Sequence, residues 1–110
     1  MHIVAKLACL AGGLMLLSAG TAVADEAGSI AEGRRYVETM CADCHGVRAG
    51  ERRSPVAEAP AFQAVADQAE TTGMALAAWL LGPHVNMPNI MVVEPDRQNV
   101  IAYILSLKRP

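Results

Sequence analysis

The apolar positions between residues 29 and 107 recur at helical spacing, and no stretch shows the strict alternation that is typical of a half-exposed strand. The first predicted helix begins after Ser29, which forms a capping-box pattern with Glu32, and it runs to about Cys44 before Gly46. Its predicted apolar face consists of Ile30, Val37 and Met40 or Cys41. This pattern predicts an all-α fold.

Three more helical segments follow a loop over residues 47–60, where two prolines, a glycine and three arginines break any periodicity. A short helix is predicted over 62–69, and Thr72 is the predicted cap of a helix that ends at Leu81. Met74 lies in the middle of that helix and is predicted to belong to the core. The last helix is predicted from about Pro95 to Leu107. Its buried face consists of Val100, Ile104 and Leu107.

The first 24 residues have the pattern of a secretory signal peptide. An apolar stretch from Leu7 to Leu17 precedes Ala22-Val23-Ala24, which matches the A-x-A form of a cleavage site. We expect cleavage after Ala24, which removes Cys9. The alternative is an uncleaved membrane anchor, for which an apolar stretch diluted by glycines is only marginally long.

The predicted mature chain is small and mildly acidic. It keeps 86 of the 110 residues and has eight basic against eleven acidic side chains, a formal charge of −3. A chain of this size buries a small core, so a disulfide, a metal or a cofactor is expected to support it. The acidic balance does not favour nucleic-acid binding, and we expect no stable membrane insertion once the signal is removed.

Residues 41–45 carry the chemistry of this sequence. Cys41-Ala42-Asp43-Cys44-His45 is C-x-x-C-H, the attachment signature of a c-type haem. Residues three apart lie on one side of a helical turn, so the two thiols can each join a vinyl group and His45 can ligate the iron. The alternatives are a disulfide, a thioredoxin-type dithiol, which expects a βαβ context, and a zinc site, which needs four ligands.

A c-type haem iron has a sixth ligand or an open position. Met87 precedes Pro88 in an irregular segment and is the predicted ligand, with Met91 as the rival. His84 is the alternative to a methionine.

The helix order and motifs together resemble those of class I c-type cytochromes of the small, monohaem, bacterial periplasmic type. The shared features span nearly all of residues 29–107: a helix with Gly33 and Tyr36, then C-x-x-C-H, Ala59-Pro60, Trp79-Leu80, Met87-Pro88, and a helix with Tyr103. The resemblance implies a cytochrome c fold, with three main helices and loops around one haem c held through Cys41 and Cys44. With the signal peptide predicted over 1–24, the haem domain is expected to span residues 25–110.

The resemblance assigns roles to further residues. It places Gly33 at a close crossing of the first and last helices, against Tyr103. It makes the carbonyl of Pro60 the acceptor for the N–H of His45, with Pro55 as the rival, and it places Trp79 at a haem propionate or against the haem face. The loop arginines Arg48, Arg52 and Arg53 match no clear family feature.

The function implied is periplasmic electron transfer by a monomer, without enzymatic activity, between redox partner proteins. The donor is expected to be a membrane complex or a dehydrogenase, and the acceptor a terminal oxidase or reductase. The alternative is a haem c subunit of a larger dehydrogenase or oxidase complex. A third possibility is an open-site haem enzyme or gas sensor, but four-helix cytochromes of that kind carry C-x-x-C-H near the C-terminus.

Overall fold

A computed structural model of the chain describes residues 28–82, 84, 87 and 91–110, and the predicted signal peptide and its cleavage site lie outside these residues. It contains four helices: α1 (Ile30–Met40), α2 (Phe62–Asp67), α3 (Gly73–Leu80) and α4 (Asp96–Ser106). The described residues form no strand. The all-α prediction is confirmed, and α2 is the short helix that was expected between the first helix and the one capped by Thr72.

Helix α1 begins at the predicted cap, but only half of the capping box forms. The Ser29 hydroxyl accepts a hydrogen bond from the Glu32 N–H at 3.2 Å. The reciprocal bond of a capping box would run from the Ser29 N–H to the Glu32 side chain. It does not form, because the Ser29 N–H donates instead to Oδ1 of Asn99 in α4 at 2.7 Å. The Glu32 carboxylate pairs with Arg35. The start of α1 is therefore attached to the last helix.

Helix α1 ends at Met40, one turn earlier than predicted, and Cys41 is its C-cap. The prediction of its apolar face is also only partly correct. Val37 is fully buried, whereas Ile30 and Met40 are exposed. The side of α1 that packs on α4 is set by Gly33 and Val37, because the small residue allows the two helices to approach closely.

Helix α4 is the packing partner of the other three, since α1, α2 and α3 each contact it and not one another among the described helices. Its predicted buried stripe of Val100, Ile104 and Leu107 is confirmed. Together with the other helices and the loops, this stripe builds the core. The buried apolar members are Val37, Val47, Phe62, Ala66, Leu76, Val92, Val100, Ile101, Tyr103, Ile104 and Leu107.

Helix α3 is capped as predicted, by the Thr72 hydroxyl, which accepts from the Ala75 N–H at 3.1 Å. The prediction that Met74 is a core residue is wrong: its exposed fraction is 86%. Leu76 is the buried residue of this helix, and Gly73 faces Ile101 of α4. The sequence of α3 is apolar all round, so its pattern does not identify the side that packs.

Within the described ranges, no helix combines the length and the apolar character that crossing a membrane requires.

Candidate functional site

The two cysteines of the C-x-x-C-H motif lie on a single tight turn directly after α1. The N–H groups of Cys44 and His45 both donate to the Cys41 carbonyl, at 3.2 Å and 2.9 Å. Both cysteines are half-buried free thiols. Burial, with a further contribution from Cys44, raises the pKa of the Cys41 thiol to about 11. The polypeptide therefore presents Cys41 in its protonated form at neutral pH, beside Cys44.

His45 is oriented by the loop that follows it. Its Nδ1 lies 2.7 Å from the carbonyl oxygen of Pro60. A carbonyl can only accept, so Nδ1 carries the proton, and in the neutral imidazole Nε2 then keeps its lone pair. The ring of Phe62 lies at a centroid distance of 5.1 Å and a tilt of 41°. This is the tautomer that a metal ligand needs, with its other nitrogen hydrogen-bonded to the backbone.

The loop between His45 and Pro60 is closed by hydrogen bonds across its base. The Phe62 N–H donates to the Gly46 carbonyl at 2.8 Å, and the Val56 N–H donates to the Cys44 carbonyl at 3.2 Å. The Gly46 N–H donates to the Ser54 hydroxyl at 2.9 Å. These bonds bring Pro60, rather than its rival Pro55, to the imidazole.

Met87 is half-buried, and its N–H donates to the His84 carbonyl at 3.1 Å. Its neighbour Pro88 lies outside the described residues. The rival, Met91, has an exposed fraction of 61%. The choice of Met87 over Met91 or His84 as the sixth ligand stays a prediction.

Trp79 projects from α3 with 62% of its surface exposed. Its indole makes an edge-on contact with the His84 ring at a centroid distance of 5.0 Å. The structure thus joins Trp79 to the segment that contains Met87, because His84 also accepts the Met87 N–H through its backbone. A large exposed apolar ring beside this segment suits contact with a flat apolar group.

Arg52 and Arg53 border a cleft of about 410 Å³ that Pro60 also lines. In the described part of the chain, four arginines form ion pairs with carboxylates: Arg34, Arg35, Arg97 and Arg109. The side chains of Arg48, Arg52 and Arg53 form none there, so the positive charge of this loop is left uncompensated by direct pairing.

The described residues do not support an interpretation of the cysteine motif as a zinc site or as a thioredoxin-type dithiol. Among the described residues, no three His, Cys, Asp or Glu side chains are grouped so as to hold a metal ion. The same residues contain no strand that could supply the βαβ context of a thioredoxin-type dithiol.

Two buried polar side chains that hold the site's loop were not predicted. The Tyr103 hydroxyl donates to the Val47 carbonyl at 2.6 Å. Gln63 accepts from the Gly50 N–H and donates to the Leu107 carbonyl and to Asp67. A tyrosine within a buried helical stripe needs a partner for its hydroxyl, which is the one sequence signal that pointed to such a bond.

Comparison with known proteins identifies a relative over most of the chain. Cytochrome c-552 of Bradyrhizobium diazoefficiens is 33% identical over 91 residues, which cover 83% of this chain and 84% of that protein. No protein-family model matches the chain. No solved structure matches it either.

Proposed function

Because this chain belongs to the c-type cytochromes, we propose that it is a class I monohaem member that carries single electrons and turns over no substrate of its own. Cytochromes of this family hold haem covalently, and the haem supplies an iron that changes charge by one electron. One observation carries the proposal: a single turn brings together two free thiols and an imidazole whose Nδ1 hydrogen-bonds to Pro60.

Each residue of that turn has its own role in holding the haem. Cys41 and Cys44 would form the two thioether links, and His45 would ligate the iron through Nε2. The Pro60 carbonyl holds the imidazole in its ligand tautomer and raises its basicity. The donor set fits a c-type haem, since it combines paired thiols with a histidine whose Nδ1 is bound to the Pro60 carbonyl, which leaves Nε2 available for the metal.

Met87 would provide the second protein ligand to the iron, and Trp79 would pack against the haem or reach a propionate. Ligation by a histidine together with a methionine would suit electron transfer and would keep other molecules away from the metal. The contact of His84 with Trp79 and with the Met87 backbone supports the proposal, since it links the two residues on that side.

The location follows the predicted signal peptide. We propose export to the periplasm, cleavage after Ala24, and a monomeric mature chain of residues 25–110 that is no longer anchored in the membrane. The donor is a membrane complex or a dehydrogenase, and the acceptor is a terminal oxidase or reductase. These partners dock near the thioether edge, around Ala42, Met87 and Pro88, through the small and short-lived interfaces that redox encounters use.

A reductive titration of the exported protein tests the central claim. One electron per chain should convert the oxidised spectrum of a low-spin haem fully into the reduced one, and assays with peroxide or with dehydrogenase substrates should show no steady-state turnover. The matched control is the double variant Cys41→Ala/Cys44→Ala, which should carry no covalent haem. A steady-state activity of the purified wild type would contradict the proposal, and a larger subunit that co-purifies stoichiometrically would favour the role of a complex subunit.

A further inference from the structure

A buried hydrogen bond connects the last helix to the residues directly after His45. The Tyr103 hydroxyl donates to the Val47 carbonyl at 2.6 Å across 56 positions of the chain. Both residues are buried, with exposed fractions of 5% and 3%. Burial, the largest of several influences, raises the pKa of the Tyr103 hydroxyl above its ordinary value, so the group remains a donor throughout the neutral range.

The Val47 carbonyl belongs to a segment that leaves little freedom between the axial histidine and Pro60. The adjoining residue, Gly46, donates to the Ser54 hydroxyl and accepts from the N–H of Phe62, which is two residues beyond Pro60. Gly46 is also tightly enclosed, because a Cβ built on it would approach the Arg53 carbonyl oxygen to 2.5 Å. A displacement of Val47 is therefore transmitted through Gly46 to both ends of the His45–Pro60 hydrogen bond.

We propose that Tyr103 is a positioning residue for the axial ligand, whose hydroxyl holds the Val47 carbonyl so that the His45 imidazole and the Pro60 carbonyl stay in hydrogen-bonding register. The inference rests on the proposed function and deepens it, because the His45–Pro60 hydrogen bond sets how strongly the imidazole donates electron density to the iron. A firm Nδ1–H bond makes the imidazole a better donor, which stabilises the oxidised metal more than the reduced one. Loosening that bond raises the reduction potential.

The test is Tyr103→Phe in the haem-loaded protein, which removes one oxygen atom and keeps the aromatic ring and the Cβ that lies near Gly33. We expect the equilibrium to shift toward the reduced form by roughly threefold or more, which corresponds to about 28 mV at 59 mV per tenfold for one electron. We also expect faster solvent exchange of the His45 Nδ1 proton, followed by NMR. The matched control is Ser106→Ala, which deletes another hydroxyl-to-carbonyl bond of the same helix, from Ser106 to Tyr103 at 2.5 Å. It should change neither quantity.

A purely structural role makes a different prediction. In that case Tyr103→Phe lowers the denaturation midpoint but leaves the potential and the Nδ1 exchange rate at wild-type values, and this result would overturn the inference. If Tyr103→Phe does not fold, Ser54→Ala decides, because it releases the same segment from the other side and should shift both readouts in the same direction. Unchanged readouts in a folded Ser54→Ala would then overturn it.

Failure of the underlying function is distinguishable from failure of this inference. The intact mass and the absorption spectrum of the wild type report whether haem is attached before any variant is made. A wild type without haem refutes the proposed function, whereas a haem-loaded wild type with unresponsive variants refutes only the role of Tyr103.

Discussion

Gly33 of α1 lies directly against the backbone of Asn99 in α4. A Cβ built on Gly33 would come to 1.9 Å from the Asn99 carbonyl oxygen and to 2.9 Å from the Tyr103 Cβ. A glycine within a helix costs roughly 1 kcal/mol relative to alanine. That cost is offset here by a close crossing that also allows the Ser29 N–H to reach the Asn99 side chain.

Gly33→Ala should destabilise the protein by about 3 kcal/mol, because the obstacle is a backbone carbonyl that cannot turn aside as a side chain can. The midpoint of chemical denaturation measures the effect. The matched control is Gly73→Ala, another glycine within a helix, where the new methyl would meet Ile101 at an ordinary distance of 3.6 Å. That control should stay within about 1 kcal/mol of the wild type. Equal losses in the two variants would show that the crossing is not the cause.

Asp67 and Arg109 hold the C-terminal end of the chain to α2. Hydrogen bonds from the Arg109 guanidinium and from its N–H lower the pKa of the Asp67 carboxyl to about 2. The pKa in the unfolded chain is about 3.9, so the ionised carboxylate favours the folded state. This contribution is fully present above about pH 4 and is lost as the pH falls toward 2.

Asp67→Asn should therefore be less stable than the wild type at pH 7, and the difference should shrink as the pH is lowered from 5 to 2. Denaturation midpoints measured across that range provide the check. Glu70→Gln, which neutralises a nearby exposed carboxylate, should give no such convergence. Parallel pH curves for wild type and Asp67→Asn would contradict the assignment.

Export and attachment can be read from one mass measurement. The exported protein should have the mass of residues 25–110 plus one haem, and the haem should stay with the chain in denaturing electrophoresis because two thioethers hold it. Replacing Cys41 or Cys44 alone should leave at most a single thioether, which shifts the absorption bands of the reduced haem. Recovery of a chain that retains Met1, or of two free thiols in the mature protein, would refute the respective part.

The sixth ligand can be identified by comparing two methionines. Met87→Ala should abolish the weak red-region band that reports sulfur bound to oxidised iron, and it should allow carbon monoxide to bind the reduced protein. Met91→Ala is the matched control and should keep the band, in line with its 61% exposure. Loss of the band in the Met91 variant alone would mean that Met91 is the ligand.

The sequence was informative where local rules decide the structure. The caps at Ser29 and Thr72 and the buried stripe of α4 follow from side-chain chemistry and helical spacing, and all three are present in the structure. The tight turn at Cys41–His45 was not predicted, because the helical spacing of the motif was interpreted as the last turn of α1, which in the structure ends at Met40.

Two kinds of feature were not predictable: the buried side of a helix that is apolar all round, and hydrogen bonds between residues far apart in the chain. Helix α3 offers apolar side chains in every direction, so its spacing could not show that Leu76 is buried and Met74 exposed. The bonds from Ser29 to Asn99 and from Tyr103 to Val47 join residues far apart in the chain, and no local pattern pairs them. Gln63 is similar: it links a loop, a helix and the C-terminal segment.

The role of α4 as shared partner of the other three helices has a consequence for the order of assembly. A chain that crosses a membrane from its N-terminus delivers the C-x-x-C-H segment first and α4 last. Until Ser106 has emerged, none of α1, α2 or α3 has its packing partner, since these helices contact α4 and not one another among the described residues. If the chain is exported as proposed, Cys41 and Cys44 therefore cross the membrane before the described helices can pack on α4, and the tertiary structure can form only after α4 has followed.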